Sequence, residues 1–106
     1  MEAVLRAIAP ARRREILLLV RDSELTAGEI ASHFAISRPG VSQHLRVLVD
    51  AGLLNERRDG TRRIYRARPE GLGEVRAYLD DFWGSRLDDL RVVVERERGG
   101  TRHARN

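Results

Sequence analysis

A mainly α-helical domain carrying one β-hairpin, in the order α-α-α-α-β-β-α, is the fold this sequence predicts. Three observations carry that expectation. Residues 26–51, TAGEIASHFAISRPGVSQHLRVLVDA, read as two helices joined by a tight turn. Asp59-Gly60 lies between two strand-like runs, the strongest short-range hairpin signal. From Pro69 onward, apolar residues recur at three- and four-residue steps to about Arg98. Two short helices across a turn, followed by a hairpin, make a winged helix-turn-helix. A chain of 106 residues supports a single small core.

The elements follow in order. Residues 2–9 form a short helix with Val4, Leu5 and Ile8 on one face, interrupted by Pro10. Residues 11–20 form the second helix, where Ile16, Leu17 and Val20 turn inward. Arg12, Arg13 and Arg14 oppose the macrodipole at its N-terminus, so they are expected as a solvated face, the alternative being that one of them reaches a DNA phosphate or an acidic neighbour. Residues 21–24 are a polar linker, and Leu25 is placed to staple the next helix. Thr26 with Glu29 three residues on is a capping box. Ala27, Ile30, Ala31 and Phe34 give that helix its buried face, and close approach of a neighbouring helix would account for Gly28. Ala35-Ile36 makes the turn, Ser37 caps the next helix and Pro39 sits in its first turn. There Val41, Leu45, Leu48 and Val49 form the inward stripe, while Ser42, Gln43 and Arg46 fall on the opposite face. Gly52 ends the helix.

The hairpin, residues 53–67, needs anchoring because an isolated pair of strands is marginal. Leu54, Ile64 and Tyr65 supply the anchor. In the last helix Leu72, Val75, Leu79, Phe82, Trp83, Leu87, Leu90 and Val94 form a stripe too long for one small core to cover. Part of it is therefore expected to face a second subunit, together with Val4, Leu5 and Ile8. The domain is read as residues 1–98, and the Gly- and Arg-rich residues 99–106 as a disordered tail.

Composition narrows the function classes. The net charge of +4 comes entirely from arginine on the basic side, since the chain has no lysine. Arginine suits bidentate phosphate and guanine contacts, although the same bias follows from a GC-rich genome. The absence of cysteine excludes disulfides and thiolate metal sites. No run of 18 apolar residues and no signal-like N-terminus is present, so a cytoplasmic protein without membrane contact is expected. Asp80, Asp81, Asp88 and Asp89 are spaced along a helix for solvent or for ion pairs with Arg76, Arg86 and Arg91. An acid–base dyad would need a cleft, so no enzyme is expected.

With the strings LTAGEIASHFAISRPGVSQHLRVLVDAGLL, RRDGTRRIYR and APARRREIL in register, the chain resembles the ArsR-type winged-helix repressors of bacteria over roughly residues 1–94. The resemblance implies that the second helix of the pair enters the major groove. It implies also that the wing lies on the backbone or in the minor groove, and that the terminal helices form a homodimer. It does not carry the family's metal chemistry. Metal-sensing members have a cysteine pair where this chain reads Glu24-Leu25-Thr26-Ala27-Gly28-Glu29, and others place Asp and His ligands on a terminal helix that here has no histidine. The chain looks more like the subgroup without metal sites.

The DNA-contacting set is read as Ser37, Arg38, Ser42, Gln43, His44 and Arg46 on the recognition helix, with Arg57, Arg58, Thr61, Arg62 and Arg63 on the wing. Gln pairs bidentately with adenine and Arg with guanine, whereas the serines and wing arginines suit phosphates. His44 lies at the edge of the inward stripe, as a packing or phosphate-contacting residue. His33 lacks a third ligand, and His103 falls in the tail. The expected activity is homodimeric repression through a palindromic double-stranded operator, without metal or cofactor and with the inducer unknown. Two alternatives stay open: an inducer bound at the dimer interface near Trp83, and a winged helix used for protein interaction.

Overall fold

The computed structural model describes residues 1–84. Its elements are α1 (Glu2–Ile8), α2 (Ala11–Leu19), β1 (Leu25–Thr26), α3 (Ala27–Ala31), α4 (Arg38–Asp50), β2 (Leu54–Asp59), β3 (Arg62–Ala67), a 3-10 turn (Pro69–Leu72) and α5 (Gly73–Trp83). Two compact units are present, Met1–Glu74 and a second that starts at Val75.

In the first unit the core sits where helices and hairpin base meet. Ile16 and Val20 of the α2 end, Ile30 of α3, Val41, Leu45 and Leu48 of α4, and Leu53 and Leu54 at the hairpin base are all at most 2% exposed. Each buried aliphatic of this size contributes roughly 1.5–3 kcal/mol. The stripe expected on the recognition helix is therefore the one buried. Tyr65 and Ile64 are buried as well, and so anchor the hairpin.

The local signals behave as the physical chemistry requires. Thr26 Oγ1 accepts the Glu29 N–H at 3.1 Å, and the Glu29 carboxylate accepts the Thr26 N–H at 2.9 Å. Ser37 Oγ accepts the Gly40 N–H at 3.2 Å. At the other end of α4, Gly52 takes φ +79°. Its N–H donates to Val49 O at 3.0 Å and the Leu53 N–H donates to Leu48 O at 2.9 Å. That is a Schellman cap, with buried Leu53 and Leu48 as its apolar contact.

Several expectations need correction. The linker, residues 21–24, is followed by a strand that the sequence did not reveal: β1 pairs with β3, Leu25 opposite Tyr65 and Thr26 opposite Ile64, making an antiparallel sheet in the order β1-β3-β2. Leu25 is thus a strand residue. α3 ends at Ala31, so the turn to α4 covers Ser32–Ile36 rather than Ala35-Ile36 alone. The hairpin register pairs Asp59 with Arg62, so its loop is Gly60-Thr61 and not Asp59-Gly60. Only Gly60 has positive φ there, +64°, which is the type II′ arrangement with glycine first.

A Cβ on Gly28 would meet only the Arg38 guanidinium at an ordinary 3.6 Å, so no tight helix contact accounts for that glycine. On α1, Ala7 is fully buried while Leu5 is 41% exposed. The run from Pro69 begins as a 3-10 turn and becomes α-helical only at Gly73. Leu87, Leu90, Val94 and the expected tail lie outside the described residues.

The three arginines of α2 are partly or fully exposed, but each also has a defined partner. Arg14 Nη1 donates to Ile8 O at 2.7 Å and Ala9 O at 2.6 Å, closing the C-terminal carbonyls of α1. Arg12 pairs with Glu15 and lies over the Phe34 ring, 4.9 Å from its centroid. Arg13 reaches Arg6 O and His44. The dipole argument considered only the N-terminus of α2. The C-terminus of α1 lies beside it and favours cations.

In the second unit, Tyr78 stacks on Phe82 with centroids 6.1 Å apart, and Phe82 meets Trp83 edge-on at 5.5 Å. Tyr78, Leu79, Phe82 and Trp83 are all exposed. Tyr78 belongs to this apolar group although the stripe read from the sequence omitted it.

Candidate nucleic-acid interface

The recognition helix and the wing meet across a cleft of about 410 Å³. Arg38, Ser42 and Arg46 line it from α4; Glu56, Thr61, Arg62, Arg63 and Tyr65 line it from the hairpin; Thr26, Ala27 and Gly28 line it from the β1–α3 junction. The geometry follows from local rules. Ser37 starts α4 so that Arg38, Ser42 and Arg46, at steps of four, share one face. The wing comes to that face because β1, immediately before α3, is hydrogen-bonded to β3.

Within this frame the expected site residues separate into groups. Ser37, Arg38, Ser42, Gln43 and Arg46 are exposed on α4. Ser37 is occupied in part by capping Gly40, and its exposed hydroxyl retains acceptor and donor capacity. Arg38, Arg46 and Arg58 make no ion pair among the described residues. Arg62 faces Asp59 at 3.6 Å and Arg63 faces Glu56 at 3.8 Å, both with exposed side chains. Such pairs contribute about 0–1 kcal/mol, so a phosphate, with charge-assisted hydrogen bonds, readily takes over either guanidinium.

Arg57 stands apart. Its Nε and Nη2 both donate to Glu24 Oε2, the former at 3.1 Å. The guanidinium holds the Glu24 carboxyl below the usual carboxylate range and is itself pushed up by that partner. His44 is also engaged. Arg13 Nε donates to its Nδ1 at 3.1 Å in a part-buried contact. Arg Nε–H only donates, so Nδ1 must be unprotonated and the ring neutral with its proton on Nε2. Burial first, then Arg13 and Arg12, lower the His44 pKa from its ordinary 6.5.

Two features of this site escaped sequence reasoning. Glu24 was read as linker because nothing local distinguishes it; its partner is 33 residues away. Arg13 was read on its own helix, although it meets His44 31 residues on. The Glu29 carboxyl, held low chiefly by the Thr26 N–H, stabilises the α3 cap at the β1–α3 junction. No cluster of three metal-ligating side chains occurs among the described residues, and none of their helices is long and apolar enough to cross a membrane.

Comparison with known proteins gives consistent matches. Residues 11–56 match the family described as bacterial regulatory protein, arsR family. The HTH-type transcriptional regulator Rv2034 of Mycobacterium tuberculosis is 41% identical over 91 residues, covering 86% of this chain and 85% of that protein. The transcriptional repressor SdpR of Bacillus subtilis is 43% identical over 60 residues, 57% of this chain and 67% of SdpR. Among solved structures, the homodimeric winged helix-turn-helix DNA-binding domain Mb0332 from Mycobacterium bovis superposes with a TM-score of 0.63 at 30% identity, covering 79% of this chain and 78% of that one.

Proposed function

The chain belongs to the ArsR family of bacterial regulatory proteins, and we propose that it is a homodimeric repressor that binds a palindromic double-stranded DNA operator. The carrying observation is the cleft. Arg38, Ser42 and Arg46 of α4 share it with Thr61, Arg62 and Arg63 of the wing, so one phosphate backbone running along it meets both elements. In this reading α4 enters the major groove. Gln43 and Arg46 read base edges, Ser37, Arg38 and Ser42 hold phosphates, and Arg58, Arg62 and Arg63 hold the backbone beyond. The mixture of ion-paired and free arginines suits a surface that exchanges carboxylate partners for phosphate.

Dimerisation is supported by exposed apolar surface in each unit. The first exposes Leu5 at 41% and Leu18 at 64%, the latter beside an apolar groove of about 390 Å³ lined by Ile8, Leu17, Leu53, Pro69 and Leu72. The second exposes Leu79, Phe82 and Trp83. A single winged helix buries only roughly 600–1,000 Å² on DNA, and two-fold pairing doubles this by matching two half-sites. We place the protein in the branch of the family without metal sites. It has no cysteine, and the Nδ1 lone pair of His44 is already taken by Arg13.

Gel-shift of the purified protein on the DNA upstream of its own gene tests the reading, with sedimentation to give the oligomer. A shifted band of two-to-one stoichiometry, surviving excess random duplex, is expected. Binding that random duplex abolishes, or a monomer that binds the operator as such, refutes the dimeric sequence-specific reading. Leu79→Glu is expected to give a monomer that has lost operator binding.

A further inference from the structure

We propose that Glu24 is a positioning residue for the wing, acting through Arg57 to hold the hairpin where Arg58, Arg62 and Arg63 meet DNA. The inference rests on the DNA-binding reading and deepens it. β2 is an edge strand whose only sheet neighbour among the described residues is β3. Beyond buried Leu54 its residues, Asn55–Asp59, are exposed. The sheet therefore fixes the base of the wing, and solvent surrounds its outer half. The Glu24 carboxylate adds a second tie where that half begins, at Arg57, level with the end of the β1–β3 pairing. It lies one residue before β1, at the opposite edge of the sheet, and takes two hydrogen bonds from the Arg57 guanidinium on β2. Arg57 is directly opposite Ile64 on β3, and Ile64 is opposite Thr26 on β1, so the pair bridges across the central strand. Arg66 of β3 also acts on the same carboxylate. One side chain thus links both edges of the sheet and connects the wing to the segment that begins the helix-turn-helix.

This role makes a prediction opposite in sign to simple charge counting. Removing a negative charge from a DNA-binding surface strengthens binding if only the net field matters. Removing a wing positioner weakens it, because the phosphate contacts of the hairpin are lost although no DNA-facing residue has changed. The experiment uses a labelled duplex that the wild type binds, titrated by fluorescence anisotropy at several salt concentrations, with Glu24→Gln, Arg57→Gln and the exchanged pair Glu24→Arg/Arg57→Glu.

Glu24→Gln is expected to weaken binding about two- to five-fold, the scale of an exposed ion pair. Its plot of log affinity against log salt should be shallower by about one unit as a wing phosphate contact is lost. A merely structural loss of stability would leave that slope unchanged. The exchanged pair keeps the net charge and should recover most of the affinity and slope. Circular dichroism on each variant establishes folding, and both side chains are exposed, at 37% and 56%. If Glu24→Gln binds as tightly as the wild type or tighter, the positioning role is overturned and DNA binding stands. If Arg57→Gln alone flattens the slope while the exchanged pair recovers nothing, Arg57 is a direct phosphate contact and the proposal again fails. A wild type that binds no duplex overturns both.

Discussion

Acidification should weaken DNA binding, and His44 is the reason. In the free protein its Nδ1 accepts the Arg13 Nε–H at 3.1 Å. Protonating the ring turns that acceptor into a donor and sets a cation against Arg13, with Arg12 as the second positive neighbour. Breaking a part-buried hydrogen bond and leaving its donor unpaired costs about 1–3 kcal/mol of the folded geometry, which sets an upper bound of about five- to 150-fold on the affinity lost at complete protonation. The pKa is lowered, first by burial and then by the two arginines, so the sign is fixed. The contribution is fully present above the ordinary value of 6.5 and is lost as pH falls through the lower folded value. Operator affinity is expected to fall progressively as the pH drops below 6.5, by no more than that bound.

Anisotropy titrations from pH 7.5 to 5.5 at constant ionic strength measure it. His44→Gln keeps a neutral acceptor and should flatten the profile. His33→Gln should not, because His33 is exposed and bonded only to Glu29 O. A phosphate-contacting histidine gives the reverse behaviour, since its cation binds better. If acid tightens wild-type binding and His44→Gln removes that tightening, the assignment of His44 to the Arg13 contact is refuted.

Three further tests concern other parts of the chain. Gly71→Ala should destabilise the first unit by about 1–3 kcal/mol in urea unfolding, because its Cβ would lie 2.2 Å from Gly52 O, a backbone atom beside the Schellman cap; an unchanged midpoint would show that this approach relaxes freely. Arg46→Ala should cost about 1–3 kcal/mol of operator affinity and relax preference at one base pair, whereas Arg62→Ala should weaken all sequences alike and flatten the salt slope by about one unit; the reverse pattern in a binding-site selection would exchange the roles of helix and wing. Zinc or cadmium at low micromolar concentration should leave operator affinity unchanged, and a stoichiometric loss reversed by a chelator would reveal a site that includes His33 or the Nε2 of His44.

What the sequence made legible was local chemistry. The capping box at Thr26, the Ser37 cap, the Gly52 end and the buried stripe Val41, Leu45 and Leu48 each depend on residues within a few positions of one another. These alone define the helix pair and its outward face. The hairpin was legible for the same reason, but its register was one residue off. Asp-Gly signals a type I′ loop, and the tertiary frame chose type II′ with Gly60 first and Thr61 second.

The rest depended on contacts distant in sequence. Two-residue β1 carries no periodicity that a reading could detect, and it exists only because β3 lies beside it. Once β1 is placed, several apparently idle charges acquire work. Glu24 comes within reach of Arg57, and Thr26 and Gly28 come to line the cleft. The same logic explains Arg13 and Arg14 of α2, whose partners are α1 carbonyls and an α4 histidine.

A consequence follows for which basic residues contact DNA. Sequence alone separates recognition-helix from wing cations but does not rank the arginines within the wing. Geometry divides them by what each must give up. Arg38, Arg46 and Arg58 surrender no ion-pair partner among the described residues, and Arg62 and Arg63 surrender only loose exposed ones. Arg57 and Arg13 would each abandon a defined hydrogen bond to meet a phosphate. The first five are therefore the cations that DNA can recruit at least cost, and the latter two serve binding best by staying where they are.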